Sequence, residues 1–102
     1  MRKQDLKHIN SIITCSTEDL SKAVLDLAAL HGCNWNGIAN TPMNGNNRWD
    51  KHRQHTGYDL LYGTYSGVSY WKERGRNFVT AEKFLEDNFV STLDLTSNES
   101  NT

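Results

Sequence analysis

Several ingredients are scarce in this 102-residue chain, and each scarcity removes a class of function. Two cysteines, Cys15 and Cys33, cannot build the disulfide framework that staples small secreted domains, and they read as reduced, buried thiols. No apolar run approaches the roughly 18 residues of a membrane span, and the opening MRKQDLKHIN lacks the apolar stretch of a signal peptide. A cytoplasmic protein with no membrane partner is therefore expected. Neither GxGxxG nor a P-loop pattern occurs, so ATP, GTP and NAD have no phosphate cradle and no cofactor is expected. No internal repeat is visible, and the Asn-rich piece Asn44 to Asn47 is too short to count as low complexity.

What is present is enough for one folded domain. Hydrophobic content of 36% with three Trp, four Tyr and three Phe supports a modest core, and a net charge of −1 excludes the highly charged disordered class. The near-neutral total hides an asymmetry. Residues 34–76 carry Arg48, Lys51, Arg53, Lys72, Arg74 and Arg76 against Asp50, Asp59 and Glu73, a net of +3. Residues 77–102 carry Lys83 against Glu82, Glu86, Asp87, Asp94 and Glu99, a net of −4. A basic face is thus compatible with the neutral whole, although strong nonspecific binding to nucleic acid is not.

Along the chain, the β-branched run Ile9 to Cys15 predicts a strand, and Ser16-Thr17-Glu18-Asp19 supplies a helix cap with acids at the positive end of the dipole. The helix should run to about His31, with Leu20, Val24, Leu27 and Leu30 making an apolar face beside Ala23, Ala28 and Ala29, and Gly32 should stop it. Asn34-Trp35-Asn36-Gly37 reads as a tight turn carrying an anchor aromatic, and Ile38 to Met43 as a short edge strand. Tyr58 to Tyr65 and Val68 to Lys72 alternate around Ser66-Gly67, which predicts a hairpin closed there. That register puts Leu61, Tyr65, Val68 and Tyr70 on one face and Tyr58, Leu60, Tyr62 and Trp71 on the other. Phe78-Val79 should add a last strand, and Thr80 should cap a second helix with Phe84, Leu85 and Phe89 facing inward. The expected fold is α+β, a two-layer sandwich with a small, mainly antiparallel sheet and two helices on one face. A single domain would span residues 1–90 with a long polar loop at 40–57, followed by a disordered tail at 91–102.

The loop NTPMNGNNRWDKHRQHTG is the most informative stretch. Ordering a long irregular segment costs conformational entropy, and such loops are functional or disordered. Trp49 among Arg48, Lys51 and Arg53 has the composition of a contact site for a partner. A second basic and aromatic set, Tyr62, Tyr70, Trp71, Lys72, Arg74 and Arg76, extends the candidate surface. The interleaving also suits single-stranded nucleic acid, held by stacking beside positive charge, although Tyr and Trp filling a small core with Arg and Lys at its rim is the better reading. His52 and His55 with Cys15 and Cys33 are zinc-ligand types, but only the histidines are close in sequence, and two exposed loop histidines is the better reading. A metal-dependent hydrolase is the weakest alternative. Cys33 beside His31 is no activated nucleophile, because the negative end of the helix would raise its pKa. No catalytic residues are singled out, and whether the protein is an enzyme stays open, with binding favoured.

The strand, capped helix and HGCNW of Thr14 to Trp35, with the Thr-capped FVTAEKFLEDNF of Phe78 to Phe89, resemble small accessory proteins of tailed bacteriophages, the host-takeover and anti-defence class. What the resemblance implies is a non-enzymatic binding protein that modulates or inhibits a host protein. The partner-binding residues expected from the sequence are Arg48, Trp49, Lys51, Arg53, Tyr62, Trp71, Arg74 and Arg76. A nucleic-acid partner is the alternative, and homodimerisation through a hairpin edge stays open.

Overall fold

The computed structural model describes residues 2–88. Its centre is a four-stranded mixed sheet of β1 (Ile12–Cys15), β2 (Thr56–Asp59), β3 (Thr64–Gly67) and β4 (Phe78–Thr80), in the order β3-β2-β1-β4. The β1–β2 and β2–β3 pairs are antiparallel and the β1–β4 pair is parallel. Helices α1 (Glu18–Leu30), α2 (Trp49–His52) and α3 (Val68–Glu73) complete the fold together with α4 at residues 81–88. The protein is an α+β domain. No helix among the described residues is long and apolar enough to cross a membrane.

Local chemistry explains the α1 boundaries. Thr17, one residue beyond the expected Ser16, is the N-cap and accepts from the Leu20 amide at 3.2 Å. At the other end the Gly32 and Cys33 amides donate to the Ala29 and Ala28 carbonyls, which closes a Schellman motif with Cys33 buried behind it. The buried stripe is Ser21, Val24, Leu25 and Ala28. Leu30, expected on the apolar face, is instead 65% exposed. A serine can take its place on the inner face because the Ser21 hydroxyl is hydrogen-bonded there to Tyr58.

One sheet face carries Ile13, Cys15 and Tyr58 and packs with Val24, Leu25 and Ala28 of α1 and with Ala81 and Phe84 of α4 in a single cluster. The Lys83 amide donates to Thr80 at 3.1 Å, which caps α4 as expected. The other face is covered by α3. A Cβ built on Gly57 would come within 2.7 Å of Ile12 Cγ2 and 2.8 Å of Trp71 Cδ1, so the indole lies directly on the backbone of β2. Residues 89–102, including Phe89 and the expected tail, lie outside the described residues.

Three expectations are corrected. The first strand begins at Ile12, because His8 adopts φ 67° and a turn closed by the Ser11 amide on the His8 carbonyl occupies the stretch before it. Ile38 to Met43 forms no strand and contributes only an isolated bridge between Asn34 and Pro42. The hairpin turn lies at residues 60–63, not at Ser66-Gly67. Asp59 pairs with Thr64 and Thr56 with Gly67, and Val68 to Lys72 is helical. Asp59 drives this choice: its carboxylate accepts from the Tyr62 amide at 3.3 Å and its carbonyl from the Gly63 amide at 2.9 Å. The two predicted hairpin faces therefore do not exist.

Gly63 completes the turn with φ 72°, and its carbonyl oxygen accepts from the Asn36 amide at 2.8 Å. A Cβ there would lie 1.9 Å from the Asn34 carbonyl oxygen. Backbone against backbone cannot relax cheaply, so Gly63→Ala should cost about 2–4 kcal/mol in urea denaturation. Gly45→Ala, where nothing lies within 4 Å of the new methyl, should stay within about 0.5 kcal/mol of the parent. Equal effects at the two positions would contradict the close approach of the two loops.

Candidate functional site

The polar loop is ordered by its own asparagines. Thr41 anchors its start, accepting the Trp35 amide on its carbonyl at 2.8 Å and donating its hydroxyl to Ile38 at 2.5 Å. Met43 is fully buried beneath it, and the Met43 amide bonds to the Cys33 carbonyl. Asn44 donates to Asp26 at 3.1 Å and Asn47 to Glu18 at 2.9 Å, so two side-chain amides stitch the loop to the polar edge of α1. Asn46 and Asn47 also accept the amides of Arg48 and Trp49, two residues on, at 3.0 and 3.1 Å. These short side chains thereby set the entry into α2.

Below the loop stands Tyr58. Its hydroxyl donates to the Asn47 carbonyl and lies 2.6 Å from Ser21 Oγ. Because a phenol has one proton and the carbonyl can only accept, Ser21 must donate to Tyr58. A one-way chain of hydrogen bonds thus runs from α1 through the sheet to the loop. Burial pushes the Tyr58 phenol up to about 12, against a smaller opposing pull from the Ser21 hydrogen bond.

On this support Arg48 sits at φ 58°, with its guanidinium carbon 5.2 Å from the Trp35 ring centre and 5.8 Å from that of Tyr65. Trp35 and Tyr65 meet edge to face at 5.8 Å, and Trp35 also packs on Tyr58. Trp49 is half-buried against the main cluster, and Lys51 and Arg53 are exposed. His52 lies over Gly67, where a Cβ would be 3.2 Å from its Nδ1, and its ring centre is 6.1 Å from that of Tyr65. A pocket of about 160 Å³ opens among Asn47, Arg48, Trp49, Asp50, Lys51 and Tyr65. A second hollow of about 400 Å³ lies between α1 and the loop, along Lys22, Asp26 and Asn44 to Asn47.

The structure brings Arg48, Trp49 and Lys51 together around one pocket, with exposed Arg53 at the end of α2, and separates them from Trp71, Arg74 and Arg76. Trp71 is 5% exposed and donates its indole N–H to the Gly57 carbonyl at 3.0 Å, so it is a core residue of the opposite sheet face. Arg76 is held by the buried Asp59 carboxylate at 3.0 Å and by the Asn10 carbonyl, and lies 5.4 Å from the Trp71 ring centre. Arg74 stacks on Tyr70 at 3.8 Å. Tyr62 is 65% exposed at the hairpin turn. Sequence reasoning missed Tyr58, Tyr65 and the anchoring role of Asn47; the Asn-rich turn chemistry was the one signal available for the last.

Among the described residues no group of three His, Cys, Asp or Glu side chains converges in a way that could hold a metal ion. Burial pushes the Cys15 thiol up to about 12 and that of Cys33 up to about 11, so neither is a ready thiolate. For Cys33 the direction matches the sequence expectation, but burial rather than the helix end is the main cause. No protein-family model, curated protein or solved structure matches the chain.

Two predictions follow from the buried hydroxyl and thiols. Tyr58→Phe leaves the Asn47 carbonyl and the Ser21 hydroxyl without their partner and should cost about 1–3 kcal/mol in urea denaturation; a neutral substitution would refute the chain. Folding keeps Cys15, Cys33 and Tyr58 protonated, so the stability they contribute is whole below pH 9 and is lost as pH rises toward 12, where the unfolded chain has released protons that the folded one retains. Denaturation midpoints should fall steadily above pH 9, and a flat profile to pH 11 would contradict the burial of all three.

Proposed function

We propose that the protein is a non-enzymatic binding protein that engages a protein partner through Arg48, Trp49, Lys51 and Arg53. The observation that carries this reading is the backbone around α2. Arg48 at φ 58° and Arg53 at φ 48°, ψ −125° bracket a four-residue helix, and non-glycine residues in such conformations cost of order 1–3 kcal/mol each. Local strain of this kind collects where a surface is held ready for a ligand. The loop that carries it is ordered in advance by the Asn and Tyr58 hydrogen bonds, so association does not have to order it, and Trp and Arg are the side chains most enriched at interface hot spots.

The resemblance to phage accessory proteins gives the proposal its biological form, a modulator or inhibitor of a host or defence protein. A nucleic-acid module is less favoured, because Trp71, Arg74 and Arg76 do not share a face with Arg48 and Lys51. Tyr62 and Arg74 remain exposed and lie outside the proposed contact.

The test is affinity capture of the tagged protein from a bacterial host, with and without nuclease. A stoichiometric protein should survive nuclease, and Trp49→Ala should weaken its binding by about 30-fold, the equivalent of about 2 kcal/mol. Retention of full affinity by Trp49→Ala and Arg53→Ala would overturn the reading, as would co-purifying nucleic acid in place of protein. Arg53→Gly supplies a sharper sign: it relieves the strained backbone and should raise stability by about 1 kcal/mol while binding falls. A variant that loses stability would show that the conformation is not strained.

A further inference from the structure

Arg48 is seated unlike Arg76 on the opposite sheet face. Arg76 has the Asp59 carboxylate. Arg48, among the described residues, has no ion pair, and its Nε is buried without a hydrogen-bond partner. The indole Nε1 of Trp35, whose ring the guanidinium overlies, is likewise buried and unpartnered. Both groups can only donate, and a buried donor left unpaired is destabilising. The position is held rather than accidental, because the rings of Trp35 and Tyr65 flank the guanidinium and Asn46 fixes the backbone. What the chemistry lacks is an acceptor with negative charge.

The neighbouring pocket sets its size. At about 160 Å³ it has the room of about five waters, well below the roughly 300 Å³ at which sites for cofactor-sized ligands begin. Arg48 and Lys51 border it with one acid, Asp50, for a net charge of +1. That balance suits a single oxyanion. It does not suit a strand of phosphates, which needs a continued track of cations, and Arg74 and Arg76 lie with α3 on the other side of the sheet.

We propose that this pocket takes a carboxylate from an acidic segment of the protein partner, with the Arg48 guanidinium forking onto its two oxygens and Lys51 at the rim. The inference rests on the partner-binding reading above and names the chemistry of that partner. Trp49 borders the same pocket, so an acidic side chain flanked by an apolar one would satisfy charge and aromatic surface together.

The experiment is an NMR titration of the ¹⁵N-labelled full chain that follows Arg48 Nε–Hε and Trp35 Nε1–Hε1. The probes are a capped tetraglutamate peptide, the matching tetraglutamine peptide, inorganic phosphate and a short single-stranded oligonucleotide. The glutamate peptide should move both resonances saturably and the glutamine peptide should not. Arg48→Lys, which keeps the charge but loses the fork, should weaken binding about tenfold, and exposed Lys51→Gln about threefold with the fold intact. Equal shifts from the two peptides, no shift from either, or tighter binding of phosphate or oligonucleotide would each overturn the carboxylate assignment. Should the glutamate peptide fail while Trp49→Ala still loses the captured partner, the acidic-segment inference falls and the binding surface stands. Should Trp49→Ala keep its partner, the binding surface itself falls.

Discussion

A phenol buried beneath a helix is tolerable only when its proton and its oxygen are both used. Tyr58 meets that condition by accepting from Ser21 and donating to the Asn47 carbonyl, and three parts of the molecule depend on the result. The Ser21 contact turns a polar residue of α1 toward the sheet. The ring packs on Trp35 and so helps place the floor under Arg48. The Asn47 contact fixes the residue whose side chain caps the backbone of Trp49 and reaches Glu18. Helix, sheet and loop therefore share one buried polar link, which specifies their relative placement where apolar packing alone would let the loop slide.

The central strand β2 has a different neighbour on each side, and this separates the cations of the chain into two roles. On the side of α1, Tyr58 supports Arg48 among aromatic rings. On the side of α3, Gly57 leaves space for Trp71, and Asp59 draws Arg76 into a pair whose carboxylate is almost wholly buried. Removing Arg76 would strand that carboxylate, so the arginine belongs to the architecture of the hairpin and α3. A linear inventory of basic and aromatic residues merges these roles. The sheet register divides them.

How far the sequence speaks follows from the range of each interaction. The α1 helix is legible because its cap, its acids in the first turn and its closing glycine act within a few residues, and Thr80 announces α4 for the same reason. Trp35 as an anchor was legible in the same way, from a turn that carries a large aromatic. The hairpin is ambiguous in the sequence because Ser66-Gly67 and the Asp59…Gly63 span both offer turn chemistry; the Asp59 hydrogen bonds favour the second, where Gly63 fits against the Asn34 backbone, far along the chain. The α3 helix hides behind Val68, Tyr70 and Trp71, all strand formers, and its one buried residue is Trp71, packed on β2. Its end was written in the sequence all the same: the Gly75 amide on the Lys72 carbonyl and the Arg76 amide on the Trp71 carbonyl close it as they close α1. Arg48, Trp49, Lys51 and Arg53 could be named from composition, whereas the aromatic seat of Arg48 could not, since Trp35 and Tyr65 come together only through folding.

The loop proposed to carry the contact is held in shape by a buried hydrogen-bond chain before any partner arrives. The most direct measurement of that claim is amide hydrogen exchange across residues 44–53, compared between the parent protein and Tyr58→Phe. The expected result is slow exchange of the Arg48 and Trp49 amides in the parent, and in the variant a loss of protection in this stretch larger than the loss in α1 and the sheet, which follows the global destabilisation alone. Exchange at the rate of an unstructured peptide in the parent, or unaltered protection in the variant, would contradict it.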